Sequence, residues 1–337
     1  MTHSIMQYID PIYGENEITE PVILELMACP AMQRLKDIDQ HGYMEPFFPG
    51  ATYFRFEHSV GAYLLLRQFG AELSEQIAGL IHDVSHSAFS HSADYVFAEG
   101  SQKEQTHQDN IFNSFVGNSE IPAILSRHGF DLDYILNDKN FPLKENSLPD
   151  TCADRIDYSL RDIWHFHRYA PAYAKKIPSI LASLIVKDGR WIFGDYSSAQ
   201  NFSDLFFHAN KYFYSGIESA VMFRTTGDYL KCAIEKKYIS KEDLYLTDVE
   251  VLGKINQFLE KDKILKKLWE RMNNRVGYAN NPNNYDAQVF CKSRVIDPIC
   301  YNEGKVVRVS EVNLDWKKVV EAEMRPKEYF LKFAESL

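Results

Sequence analysis

Residues 79–97, GLIHDVSHSAFSHSADYVF, most strongly limit what this chain can fold into, because they crowd ionisable groups into a stretch that otherwise indicates a buried helix. The apolar run at 74–83 predicts that helix, with Ser74 as its N-cap. Burying polar side chains without partners costs free energy. We therefore expect a bound metal or ligand beside a helical core, served by His82, Asp83, His86, His91 and Asp94.

Helical periodicity recurs in five further segments of the chain, namely 21–38, 57–69, 92–99, 150–167 and 200–272. The first of these predicts two short helices, because Pro30 suits the first turn of the second. The second predicts an amphipathic helix with His58 in its first turn. For the helix at 150–167 we expect Asp150 or Thr151 as the N-cap.

Strand signals lie mainly towards the C-terminus. Asp188-Gly189 predicts a two-residue hairpin turn, and residues 286–316 predict short strands around Asn302-Glu303-Gly304. A final helix is expected from about Trp316, and the Asn-rich stretch 273–286 is the best linker candidate. The fold class is therefore mainly α: an expected helical core over 1–272, with the site within 40–165, and a small C-terminal α+β region over 273–337.

Composition narrows the possible partners. The net charge of -10 argues against a nucleic-acid surface, which needs clustered Lys and Arg, but it allows a small anionic ligand in a locally positive pocket. Five scattered cysteines without a CxxC motif favour a reduced, cytoplasmic setting. The longest apolar run, residues 179–186, is too short to span a membrane.

Four side chains at the expected ends of three helices form a candidate metal site: His58, His82, Asp83 and Asp154. Imidazole and carboxylate together suit Fe, Mn, Co, Ni or Zn, and Mg also stays open, so the ion is not selected. A divalent metal ion there would polarise a phosphoryl oxygen and activate water. The His-Asp dipeptide alone is weak, and the prediction depends on the joint pattern.

Other polar residues in the same part of the sequence are candidates for substrate binding and catalysis. His86, His91 and His107 are candidates for phosphate contacts or acid catalysis, with Asp94 orienting one imidazole. Arg55 and Arg155 are candidates for binding phosphate oxygens. Asp157 and Arg161, four residues apart, are expected to form a structural ion pair. The remaining histidines are treated as background: His3, His128, His165, His167 and His208.

At these residues the sequence resembles the HD-domain phosphohydrolases, specifically the branch with dGTP triphosphohydrolases and the SAM-and-HD-domain dNTP triphosphohydrolases. The resemblance covers about residues 10–165 and rests on motifs in the family's order: DPIYGENEI, CPAMQRLKDIDQHG, FPGATYFRFEHSVGAY, LIHDVSHSAFSHSADYVF and ADRIDYSLRD. It implies a mostly helical fold, a metal held by the four residues above, and release of a nucleoside and triphosphate.

The resemblance also implies residue roles. Gln40 and His41 would lie near the sugar, and Tyr158 and Asp162 would contact its hydroxyls. His107 would be the general acid, supported by Asp94. The phosphates would meet Arg55, His86, His91 and Arg155. The family is usually oligomeric, so a homo-oligomer is expected.

Several positions depart from the family pattern. Gln108 replaces the acidic residue that commonly follows His107, and His41 stands where a small or apolar residue is usual. In the region 209–220, a phosphate-binding Arg, a Tyr and a His correspond to Asn210, Glu218 and Ala220.

Three hypotheses follow, the first from the candidate metal and phosphate residues and the other two from these departures. The first is a metal-dependent dNTP triphosphohydrolase. The second is a hydrolase of another phosphate compound, such as a monophosphate or modified nucleotide. The third is a catalytically weak nucleotide sensor.

Overall fold

The computed structural model describes residues 5–97 and 101–334 and confirms a mainly helical fold. The helices of the described residues are α1 (Pro21–Ala28), α2 (Pro30–Arg34), α3 (Arg55–Gln68), α4 (Leu73–Ile81), α5 (His107–Gly117), α6 (Ile121–Arg127), α7 (Leu132–Ile135), α8 (Ala153–His165), α9 (Pro171–Ala174), α10 (Ile177–Ser183), α11 (Tyr196–Ala209), α12 (Ile217–Glu235), α13 (Asp248–Asn256), α14 (Lys263–Met272), α15 (Val309–Val312) and α16 (Leu314–Glu323). None of them has the length and apolar character needed to cross a membrane.

The strands form three small sheets within the same residues. They are β1 (Met6–Asp10), β2 (Gly14–Ile18), β3 (Leu184–Lys187), β4 (Arg190–Phe193), β5 (Tyr278–Asn280), β6 (Ala287–Cys291), β7 (Ile299–Asn302), β8 (Lys305–Arg308) and β9 (Lys327–Phe333). β1 pairs with β2, the second sheet has the order β3-β4-β7-β8, and the third has the order β5-β9-β6. All neighbours are antiparallel except β4 and β7.

The local predictions agree with the structure where turn chemistry decides them. Two short helices flank Cys29, as Pro30 indicated. Asp188 and Gly189 join β3 and β4 with φ of 52° and 67°, the left-handed pair that a two-residue hairpin turn needs. Glu303 and Gly304, with φ of 49° and 79°, likewise join β7 and β8.

Other predictions were wrong in detail. α4 begins at Leu73, so Ser74 lies inside the helix, and α8 begins after Cys152 rather than at Asp150 or Thr151. A short 3₁₀ helix, Ser90–Tyr95, stands where a helix over 92–99 was expected, and residues 98–100 lie outside the described part.

The C-terminal predictions missed long-range pairing. Residues 273–286 were expected to be a linker, but they contain β5, which pairs with β9. The final helix, α16, is followed by β9, whose alternating Leu331 and Phe333 are buried. Both differences arise because strand partners about 50 residues apart leave no local signal. The boundary at residue 272 stays a prediction.

α3 lies between two buried apolar clusters, and this position brings its polar first turn into the interior. Tyr63 and Leu64 belong to the cluster with α1, α4 and α14, whereas Leu65 and Leu66 belong to the cluster with α8, α11 and the C-terminal strands. α3 packs on α4 and α8, the two other helices whose ends carry the candidate ligands. The metal site thus forms where the two clusters meet.

Candidate metal centre and its cavity

Four side chains converge at the ends of α3, α4 and α8. His58 lies in the first turn of α3, His82 caps α4 and is followed by Asp83, and Asp154 is the second residue of α8. Nε2 of His58 lies 3.1 Å from Nε2 of His82 and 2.9 Å from Oδ1 of Asp154. Asp83 lies 3.5 Å from His82 and 3.7 Å from His58. The ligand atoms of His58, His82 and Asp154 all lie within 4.8 Å of one another, and Asp83 lies beside this group.

The orientation of the two imidazoles fits a bound cation. Nδ1 of His58 lies 2.7 Å from Oδ2 of Asp157, and Nδ1 of His82 lies 2.7 Å from the Gly79 carbonyl oxygen. Both contacts place a proton on Nδ1, so in the neutral form of each imidazole the Nε2 lone pair points towards the other ring. Two facing lone pairs repel unless a proton or a metal ion lies between them, and neutral histidine with an oriented second nitrogen is the usual metal ligand.

The charges at the centre also favour a cation. Burial alone would raise the pKa of the Asp83 carboxyl, but Arg55 and His82 hold that pKa well below its usual range. Burial disfavours a charged His58, yet hydrogen bonds with Asp154 and Asp157 raise its pKa to about 10. The surrounding carboxylates thus stabilise positive charge at this point.

A second grouping, Glu145, Cys152 and Asp154, is less suited to a metal ion. Arg155 donates to Glu145 at 2.9 Å and contacts the Cys152 sulfur at 3.1 Å. The guanidinium already supplies a positive charge between those two groups.

The two arginines predicted to bind phosphate are engaged within the protein. Arg55 is 2% exposed and donates to Asp83, to Ser90 Oγ at 2.7 Å and to the Gln40 carbonyl oxygen at 2.9 Å. Arg155 lines the cavity but is paired with Glu145. Both guanidiniums therefore neutralise neighbouring carboxylates in this structure.

A cavity of about 520 Å³ opens beside the four ligands. His86 and His91, the candidates for phosphate contact, line it with their rings in edge contact at 5.1 Å. Nδ1 of His91 lies 3.6 Å from Oδ2 of Asp94.

His107, the acid predicted from the resemblance, is not among the described residues lining this cavity. Its imidazole lies 3.1 Å from the Tyr245 hydroxyl and stacks on Phe97, and its backbone N–H donates to Asp94 at 3.0 Å. The neighbouring Gln108 does line the cavity and donates to the His82 carbonyl oxygen at 2.8 Å.

A smaller aromatic recess of about 70 Å³ continues from the main cavity. Gln40, Tyr158 and Arg294 line both spaces, whereas His41 and Asp162 line the recess. Asp162 is fully buried, accepts hydrogen bonds from the Tyr53 and Tyr214 hydroxyls, and lies 3.0 Å from Nε2 of His41. The residues predicted to meet the sugar are thus together, but Asp162 already has protein donors on both oxygens.

Sequence reasoning missed part of this site. Asp157 forms the predicted pair with Arg161, at 2.8 and 3.0 Å, but it also orients His58. Its position one turn after Asp154 on α8 was the available signal. Lys292 and Arg294 also line the cavity, and they come from a segment to which the sequence assigned no chemistry.

Comparisons with known proteins agree with this geometry. The HD domain family matches residues 55–162, which contain all four candidate ligands. An uncharacterized protein of Bacillus subtilis, YdhJ, is 34% identical over 318 residues, covering 94% of this chain and 95% of its own length. The chain belongs to the HD-domain phosphohydrolases, and it is a metal-dependent phosphohydrolase with a divalent metal cofactor.

Other relatives match over shorter regions. The metal-dependent phosphohydrolase cns2 of Cordyceps militaris is 41% identical over 51% of this chain and 49% of its own length. The deoxynucleoside triphosphate triphosphohydrolase SAMHD1 of Danio rerio is 32% identical over 39% of this chain and 24% of its own. A solved phosphohydrolase structure from Bacteroides thetaiotaomicron shares the fold, with a TM-score of 0.70, 18% identity and coverage of 98% of this chain and 100% of its own.

Proposed function

We propose that this chain hydrolyses nucleoside phosphates, with His58, His82, Asp83 and Asp154 as its metal ligands. The observation that carries the proposal is the continuity of the space beside those ligands with an aromatic recess. A phosphate next to the ligands and the sugar of a nucleoside at the recess would occupy adjoining spaces, with Tyr158 lining both.

The bound metal ion and the protein groups around it would have different roles in the reaction. When bound, a divalent ion supplies polarisation of a phosphoryl oxygen and activation of water at neutral pH. Asp157 and the Gly79 carbonyl hold the two imidazoles in the tautomer that leaves Nε2 free. Arg55 keeps Asp83 ionised and fixed.

We infer that His91, rather than His107, donates the proton to the leaving group: burial and Arg55 lower the pKa of His91 to about 4 in the protein alone, and the negative charge of a bound phosphate would raise that pKa. His91 lines the cavity and has Asp94 near one ring nitrogen, whereas the His107 ring is engaged with Tyr245 and Phe97. His91→Gln should lower kcat by about 10²-fold, the usual contribution of a positioned acid. His107→Gln is the matched comparison, and a larger loss there would restore the role that the sequence predicted.

Two substrates fit this proposal. A dNTP, hydrolysed to nucleoside and triphosphate, is supported by the relatives named as dNTP triphosphohydrolases. A nucleoside monophosphate is supported by Asn210, which is buried where the family pattern has a phosphate-binding arginine and is bonded to Ser293 and to the Arg294 backbone. We also expect a cytoplasmic location and a homo-oligomer; light scattering on the purified protein would test the oligomeric state.

Phosphorus NMR of the products separates the candidates. Mn²⁺-loaded protein would be incubated with dNTPs, NTPs and nucleoside monophosphates, beside an Asp83→Ala control. Inorganic triphosphate would support the first substrate and orthophosphate the second, provided that the control releases neither. Intact substrates throughout, with metal shown to be bound, would refute hydrolysis and favour the sensor.

A further inference from the structure

The C-terminal segment after β6 forms one wall of the main cavity. Burial alternates along it: Cys291, Ser293 and Val295 are buried, whereas Lys292 and Arg294 are partly exposed and line the cavity. Two cations are therefore presented to the metal site by a region far from the HD motifs in sequence.

This segment is held firmly in place. The buried Asn210 side chain accepts a hydrogen bond from the Arg294 backbone N–H at 2.8 Å and donates to Ser293 Oγ at 3.0 Å. The Asp297 backbone N–H donates to the Pro149 carbonyl oxygen at 2.8 Å, just before α8. The two cations thus keep a fixed position relative to Asp154.

The cations lining the cavity differ in their partners. Three of them are paired with carboxylates: Arg55 with Asp83, Lys144 with Asp138, and Arg155 with Glu145. Within residues 5–97 and 101–334, neither Lys292 nor Arg294 forms an ion pair, and the Arg294 guanidinium donates to the neutral Gln105 side-chain amide oxygen at 2.8 Å. These two positive charges remain for a ligand.

The net charge of the cavity lining indicates how much negative charge a bound ligand should carry. Its described lining has five cationic side chains (Arg55, Lys144, Arg155, Lys292 and Arg294) and five carboxylates (Asp83, Asp109, Asp138, Glu145 and Asp154), so these charges cancel. A divalent ion then leaves two positive charges. A phosphomonoester carries about −1.5 to −2 at neutral pH, whereas a triphosphate chain carries roughly twice as much.

We propose that Lys292 and Arg294 are the anion-binding pair for the phosphate of a nucleoside monophosphate. Because Arg294 lines both spaces, that phosphate lies at the junction between the metal site and the aromatic recess. The inference rests on the proposed function for the identity of the nucleoside, but the anion-binding pair is testable without turnover.

The test is calorimetric titration of Mn²⁺-loaded full-length protein with inorganic phosphate. Lys292→Gln and Arg294→Gln should each weaken phosphate binding by about 10-fold or more, because a charge-assisted hydrogen bond is lost. Arg294→Lys should recover part of the affinity. Lys305→Gln, which removes an exposed cation at the start of β8, is the matched control and should bind like the parent. Unchanged melting temperatures establish that the variants fold.

Measuring nucleotide hydrolysis in parallel distinguishes a failure of the anion-binding pair from a failure of the proposed function. If the parent hydrolyses nucleotides while the Gln variants keep its KM and its phosphate affinity, the anion-binding pair is refuted and the enzyme stands. If phosphate binding depends on both cations but no nucleotide is cleaved, the pair stands and the proposed function fails. A parent that binds and cleaves triphosphates better than monophosphates overturns the substrate assignment.

Discussion

Replacing Gly61 of α3 by alanine should destabilise the fold and weaken metal binding together. Gly61 faces α8, and a Cβ at this position would overlap Arg161 Nη2 and Asp157 Oδ1. Those two side chains are fully buried and bonded to each other, and Arg161 also pairs with Asp10 of β1 at 3.0 Å. Alanine therefore forces apart an ion pair that has no access to water.

The magnitude follows from two opposing effects. Glycine to alanine inside a helix gains about 1 kcal/mol. Breaking a buried ion pair costs about 3–5 kcal/mol, because each charge loses its partner without regaining water. The expected net loss is about 2–4 kcal/mol in the free energy of unfolding. Asp157 also holds Nδ1 of His58, so its displacement should lower metal affinity by about 10–100-fold.

Urea denaturation and metal titration of the variant measure both effects. Gly253→Ala is the matched control, since Gly253 lies in the exposed middle of α13 with nothing near the added Cβ. That control should gain about 0.5–1 kcal/mol and bind metal normally. If Gly61→Ala were as stable as the control and bound metal equally well, the close packing of α3 on the Asp157–Arg161 pair would be refuted.

Three further outcomes are expected. Asp157→Asn keeps the shape but weakens the acceptor for His58, so metal affinity should fall by about 10–100-fold in a direct titration, and unchanged affinity would contradict the orienting role. Burial and Arg294 lower the pKa of Lys292 to about 8, with Asp109, Glu104 and Arg155 as its other charged neighbours. Lys292 therefore loses its charge as pH rises through 8, and the phosphate affinity of the parent should fall between pH 7 and 9. The Lys292→Gln variant should lack this part of the pH dependence. Removing metal with a chelator should lower the melting temperature, because an ion that binds only the folded chain stabilises it, and added Mn²⁺ should restore that temperature. If the melting temperature of an Asp154→Ala variant responded equally to chelator and Mn²⁺, the metal would bind elsewhere.

The candidate ligands were predictable because each stands at a helix end with a local signal. His58 follows a break at Pro49-Gly50, and His82-Asp83 ends an apolar helix. The local sequence pattern could not show which charged side chains are paired with each other in the folded chain. Arg55 was predicted to bind substrate phosphate, but its partner Asp83 is 28 residues away, and only the folded chain shows that the two charges are paired.

The C-terminal contribution was the least predictable part of the site. Lys292 and Arg294 alternate with buried residues, which indicates a strand-like segment but not what it faces. Their position depends on Asn210 and Pro149, more than 80 residues earlier. Similarly, β9 shows clear alternation but no sign that it enters between β5 and β6.

The central position of β9 has a consequence for the order in which the molecule becomes complete. A ribosome delivers the chain from its N-terminus, so β9 emerges after every other described strand and helix. Until then β5 and β6 have no hydrogen-bonding neighbour in their sheet, and the segment that continues from β6 lacks its final support. The histidine and aspartate cluster, carried by α3, α4 and α8, is therefore synthesised well before the strand that completes the sheet next to the proposed anion-binding pair. We expect a chain truncated before Lys327 to keep the four metal ligands but to bind phosphate more weakly, because β5 and β6 would lose the strand that joins them.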